Sequence, residues 1–343
     1  MKTLRHKTTR QVAPGQGTRP AAPSGRFSGS AGEIVRGCVR DGRALLFALL
    51  AALFTFTAHA KLNVVATTWD FGAIAQEIGG DKIDLLTLAK ATEDPHFVDA
   101  KPSYIVKLNH ADALIEGGAE LELGWLPPLL DGARNAKLEA GKPGHIYASE
   151  GISLLEVPST LDRSKGDVHA AGNPHFMPDP VNGKIVAEHI ATALCDLDPK
   201  SCDYYKANVK SFEAKLDAKL GEWQKLLAPY QGKEVVSYHN YWIYFAKRFG
   251  LKMDLYLEPK PGIPPTPAHL AEVITKMKAD DIRVIVVQPY QNRKTAETVA
   301  NHTGAVVVDW PSFPGGTKET QTYIEWIDYL IKSLAKGFEE KKS

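Results

Sequence analysis

The sequence predicts an α/β fold: two β/α lobes with mostly parallel sheets, bridged by one long rigid helix. Three observations carry this expectation. Short apolar runs such as LNVVATT and VIVV alternate with helical stretches in both halves of the chain. A continuous apolar run of the second kind has the character of a parallel strand buried on both faces. Between the halves, residues 203–227 place Tyr205, Val209, Phe212, Leu216, Leu220, Trp223 and Leu227 three or four apart with charges between them. That is the period of an amphipathic helix, and 25 residues of it would span roughly 37 Å.

Taken in order, 62–68 reads as a strand and 71–78 as a helix stopped by Gly79-Gly80. A strand at 83–88, a helix at 102–109 with proline in its first turn, a strand at 113–116 and a helix at 125–135 follow. A strand at 145–148, a polar loop at 159–173 and a helix at 185–194 close the first lobe. After the long helix the rhythm restarts: strand 234–237, helix 241–248 ended by Gly250, strand 252–257, then the proline cluster EPKPGIPPTP. Helix 269–278, strand 284–287, helix 293–301, strand 305–308 and an amphipathic helix at 320–336 complete it. The expected division is 61–202, 203–228 and 229–343, behind an export segment at 1–60.

That export segment is read from its pattern. Arg36, Arg40 and Arg43 precede the apolar run 44–56, and Ala58-His59-Ala60 follows, so cleavage near Ala60 is expected. The run is short for a membrane-spanning helix, and no cysteine stands at the cleavage position for a lipid. Residues 1–60 carry nine of the 41 basic residues and two of the 40 acids, which leaves 32 basic and 38 acidic residues, or −6, on the rest. A mildly acidic body argues against nucleic acid and suits a protein that attracts cations. Cys195 and Cys202, seven apart, are expected to form a local disulfide in an oxidising compartment.

Four residues end or follow strands: His96 in DPHF, His175 in NPHFMPDP, His239 in SYHNYW and Asp309 in VVVDWP. Prolines bracket the first two and restrict their loops. Ligands gather at the carboxyl ends of strands in open α/β sheets, and each lobe supplies two of the four. Three imidazole nitrogens and a carboxylate suit a tetrahedral Zn(II), so the cleft between the lobes is the expected metal site. His169, near His175 in the loop, is the one auxiliary contact; His110, His145, His189, His269 and His302 read as structural or surface. A zinc hydrolase would need an open position and a base, with Asp309 as the candidate base. HExxH, GxSxG, the P-loop and GxGxxG patterns are all absent, and no enzyme is expected.

The segments DPHFVDAKPS, ADALIEGGAELELGW, NPHFMPDP, YHNYWIYFAKRFGL and VDW together resemble the zinc- and manganese-binding periplasmic solute-binding proteins of ABC importers, over about 62–336. The resemblance implies metal ligands at His96 and His175 in the first lobe and at His239 and Asp309 in the second. It implies one ion per chain, a soluble periplasmic monomer, a cognate ABC permease in the inner membrane and a periplasmic metallochaperone as partners. A histidine at 239, where manganese members tend to carry a carboxylate, tilts the expectation to Zn(II). A manganese or iron binder is the alternative, followed by a metal-containing surface adhesin. Two departures stand out: 126–172 lacks the long His- and Asp-rich loop of many zinc members, and 259–267 is unusually rich in proline.

Overall fold

The computed structural model describes residues 60–160, 166 and 169–340. The expected signal segment lies outside these except for Ala60. The first lobe runs β1 (Leu62–Ala66), α1 (Trp69–Gly79), β2 (Ile83–Thr87), α2 (Pro102–Asn109), β3 (Ala113–Glu116), α3 (Leu126–Ala133), β4 (His145–Tyr147) and α4 (Pro180–Leu197). Its strands are all parallel, in the order β2-β1-β3-β4. The second lobe runs β5 (Glu234–Ser237), α6 (Ile243–Phe249), β6 (Lys252–Tyr256), α7 (Pro267–Ala279), β7 (Val284–Val287), α8 (Arg293–Thr303), β8 (Val306–Asp309) and α9 (Tyr323–Glu339). Its order, β6-β5-β7-β8, repeats that of the first lobe, again all parallel. Parallel neighbours require crossovers, which explains why a helix or long loop separates the strands.

Between the lobes α5 (Cys202–Leu227) has 26 residues, about 39 Å of helix. The predicted stripe is the buried one: Tyr205, Val209, Phe212, Leu216, Trp223 and Leu227 face inward. Burying each of the larger side chains contributes about 1.5–3 kcal/mol. Polar contacts pin both ends. Asn208 donates to the carbonyl of Ile78 in α1 at 2.9 Å, and the Trp223 indole donates to Asp328 in α9 at 3.0 Å. Cys195 and Cys202 are disulfide-bonded, joining the last turn of α4 to the first of α5.

Each sheet carries a core on its outer face, around Leu108, Leu114 and Leu126 in one lobe and Val273, Ile285 and Val299 in the other. The inner faces share a single cluster, in which Val64, Phe71 and Phe176 belong to the same packed set as Phe245, Trp310 and Trp326. The lobes are therefore packed together and not merely strung on a helix. At one point the approach is too close for a side chain: a Cβ on Gly183 of α4 would meet the Tyr323 ring at 2.6–2.7 Å.

One expectation about chain direction changes. Pro178 and Pro180 read as loop residues in the sequence, and the helix was expected from 185. Instead Pro180 opens α4, with the Asp179 carboxylate accepting from the amide of Val181 at 2.9 Å. Proline has no amide to lose at a first helical position, so it starts this helix where elsewhere it would stop one.

Candidate metal centre

The three histidines come from three strand ends. His96 lies in the loop after β2, His175 in the long connection after β4, and His239 two residues past β5. Each loop is fixed by its own side chains. The Asp94 carboxylate accepts from the His96 amide at 3.0 Å, and the Trp125 indole holds the carbonyl of Pro95 at 2.9 Å. Asn173 does for the His175 amide what Asp94 does for His96, again at 3.0 Å. Beyond it Phe176 and Met177 are sunk in the shared core, and the Tyr323 hydroxyl of the second lobe donates to the Met177 carbonyl at 2.6 Å. Ser237 donates to the carbonyl of His239 at 2.8 Å and closes the turn after β5.

These loops bring the imidazoles together. One ring nitrogen from each of His96, His175 and His239 lies within 4.8 Å of the others. The Nε2 atoms of His96 and His175 face each other at 3.1 Å. Two nitrogens bound to one tetrahedral zinc at 2.0–2.1 Å would stand roughly 3.3 Å apart, so the pair already has nearly the edge length such an ion requires. Tyr241 stacks on the His175 ring with centroids 4.1 Å apart, which fixes the plane of that ring.

The electrostatics suit a cation. Burial, then the neighbouring His239 and His169 rings, hold His96 down to about 3. Burial and the rings of His96, His239 and His169 push His175 well below its ordinary value. Both are neutral at pH 7, so neither ring carries a charge that would repel a cation. His239 has a different support: its Nδ1 sits 2.7 Å from the Glu258 carboxylate. A carboxylate partner keeps the proton on Nδ1 and turns Nε2 into the donor for a metal. Glu258 stands at the head of the proline cluster, and nothing in the sequence marked it; only the fold brings it beside His239.

Asp309 is not brought into this cluster. It ends β8, the edge strand, where Val308 turns inward and Asp309 outward with its side chain 62 % exposed. Arg293, the first residue of α8, holds it by two bonds, Nε to Oδ1 at 2.7 Å and Nη2 to Oδ2 at 3.1 Å. His169, by contrast, comes closer than its loop suggested. Its ring stacks on His96 with centroids 5.1 Å apart. His269, read as structural, points its Nε2 at the Tyr256 carbonyl at 3.0 Å.

Two parallel α/β lobes sharing a core, with three buried or half-buried imidazoles converging at their boundary, define a bilobal metal-binding protein. The profile of the family described as "ZnuA: Zinc-uptake complex component A periplasmic" matches residues 64–337. The chain belongs to this family, the metal-binding components of ABC-type metal importers, which are binding and not catalytic proteins. Among curated relatives, the manganese ABC transporter substrate-binding lipoprotein PsaA of Streptococcus anginosus is 27% identical over 289 residues, covering 82% of this chain and 90% of that protein. The iron ABC transporter substrate-binding lipoprotein MtsA of Streptococcus pyogenes serotype M1 is 29% identical over 267 residues, covering 76% and 83%. Two solved structures share the fold. A crystal structure of ZnuA has a TM-score of 0.68 at 22% identity, covering 81% of this chain and 99% of its own. The Mn-bound periplasmic metal-binding protein from Candidatus Liberibacter asiaticus has a TM-score of 0.67 at 23% identity, covering 80% and 99%.

Proposed function

We propose that the protein captures one divalent transition-metal ion on His96, His175 and His239 in the periplasm and delivers it to a cognate ABC permease. The observation that carries this reading is the convergence of three imidazoles from two lobes, their ring nitrogens within 4.8 Å of one another and the Nε2 atoms of His96 and His175 3.1 Å apart. Family membership supports the permease as partner. Neutral imidazoles leave the ion's charge largely uncompensated, and the Glu258 carboxylate behind His239 supplies one opposing charge without touching the ion. Asp309 joins as a fourth ligand only by leaving Arg293. The pair is largely exposed and screened by water, which lowers the cost of its release to an incoming ion.

For the ion itself two lines of support diverge. Several curated relatives carry manganese or iron in their names, which supports the alternative cargo better than zinc. The donor set supports zinc, because a third imidazole is softer than the oxygen ligands manganese prefers. Affinity alone does not decide between them, since zinc binds such donors more tightly than manganese or iron whichever is the cargo. The deciding experiment is the metal content of the protein isolated from the periplasm of its own cells, without added metal. One equivalent of zinc supports zinc as cargo, one of manganese or iron supports the alternative, and no metal refutes the function.

No helix of the described residues is long and apolar enough to cross a membrane. We infer export by cleavage near Ala60 from the signal pattern, and a monomeric state and a metallochaperone partner from the family resemblance. The shared inner core and the pinned α5 favour small lobe movements over a wide hinge during release.

A further inference from the structure

A cavity of about 200 Å³ opens beside His175 and His239, and its wall is completed by Glu156, His169, Asn173 and Asn240. A bare ion bound to three nitrogens needs none of this space. A hydrated one does, because its waters must be housed until the nitrogens replace them. The wall has the chemistry to receive it.

Glu156 stands in the left-handed region, φ +55°, a conformation a glutamate adopts only when its surroundings hold it there. Its Oε2 accepts from the Asn173 amide of the first lobe at 3.0 Å and from the Asn240 amide of the second at 2.7 Å. Both donors are neutral and leave the negative charge in place. The Oδ1 of the Asn240 side chain accepts in turn from the Tyr256 hydroxyl at 2.9 Å, so this side of the cavity is built on both lobes. His169 forms another part of the wall. It lies outside the set of three mutually close nitrogens, one layer out, with its ring laid on His96. In the next residue the amide of Ala170 donates to the Glu120 carboxylate and ties this stretch of loop to the first lobe.

We propose that this cavity is the antechamber through which a hydrated divalent cation reaches the three imidazoles. Glu156 attracts the ion by its charge, and His169 replaces the first water. The ion then exchanges its remaining waters for His96, His175 and His239 in turn and is never without ligands. Stacking of His169 on His96 places the outer donor beside an inner one, as a step-by-step transfer requires. The inference rests on the reading of those three histidines as the metal site.

Stopped-flow association of zinc with the wild type, Glu156→Gln and His169→Ala tests it. The glutamine keeps an acceptor oxygen for both asparagines and removes only the charge. Glu156→Gln should associate roughly fivefold more slowly, the factor for one charge acting on a divalent ion at about 8 Å in water. The ionic-strength dependence of its rate should also be shallower than that of the wild type. His169→Ala should associate more slowly as well, and all three proteins should still bind one equivalent at equilibrium. Unchanged association in both variants overturns the antechamber while leaving the metal site intact. An effect of His169→Ala confined to faster dissociation also overturns it, because that marks a ligand of the bound ion. A wild type that binds no stoichiometric metal overturns the site and the antechamber together.

Discussion

Arg248 of the second lobe donates two hydrogen bonds to Asp179 of the first, Nε to Oδ1 at 2.7 Å and Nη2 to Oδ2 at 2.9 Å. The same carboxylate caps α4 and lies four residues after His175. One acid thus ties the lobe boundary to a helix start and a ligand-bearing loop. Arg248→Ala removes the first role and leaves the cap; it should cost about 1–2 kcal/mol, because the guanidinium is partly exposed. Asp179→Ala removes both and should cost about 1 kcal/mol more. Urea unfolding of the two variants compares them, and equal losses would refute the double role.

Acid should act on this protein in two ways. His96 is held down to about 3 by burial and its neighbouring rings, and His175 lies well below its ordinary value. The unfolded chain, with imidazoles near 6.5, therefore takes up more protons as pH falls below that value. Metal-free protein should lose stability steadily from about pH 6.5 downward, which thermal melts at pH 7.5 and pH 5 will show. In the folded state, however, neither of these two rings charges in that range. Zinc affinity should then fall far less steeply between pH 6.5 and 5 than the roughly three decades per pH unit that three ordinary imidazoles would approach. A slope near three would show that the rings titrate freely.

The Cys195–Cys202 disulfide closes a short loop between α4 and α5. Chain-entropy arguments give about 2 kcal/mol for a loop of this size. A double Cys→Ser variant should unfold earlier by that amount yet bind the same one equivalent of metal, since the bond joins the last turn of α4 to the first of α5, whereas the histidine loops precede α4 or follow α5. Loss of metal stoichiometry in calorimetry would contradict this separation.

Gly183→Ala probes the lobe contact from a different side. The added methyl would press on the Tyr323 ring, whose hydroxyl holds the Met177 carbonyl two residues after His175. Overpacking of this kind costs about 1–3 kcal/mol. We expect both lower stability and weaker metal binding. Wild-type behaviour in both would mean that the ring moves aside freely.

Much of this was legible in the chain. The alternation of short apolar runs with helical stretches gave both lobes, and the stripe from Tyr205 to Leu227 is the buried face of α5. No single histidine loop marks a ligand; what is legible is that His96, His175 and His239 all follow strands in one α/β chain, two of them in proline-bracketed loops. What stayed hidden depends on partners distant in sequence. The outward turn of Asp309 is set by Arg293, sixteen residues earlier, across a strand edge. Glu258 meets His239 only because β5 and β6 pair. Pro180 could break a helix or begin one, and the Asp179 cap, itself fixed by Arg248, is what selects the second.

Calorimetric titration of zinc into the metal-free wild type, His175→Ala and Asp309→Ala tests the central claim most directly. We predict one equivalent for the wild type, and for His175→Ala an affinity lower by at least about a hundredfold, more than the loss of a group that only orients a ligand costs. Asp309→Ala should keep its one equivalent with a smaller loss than His175→Ala. A His175→Ala variant that binds zinc as the wild type does would contradict the three-imidazole site.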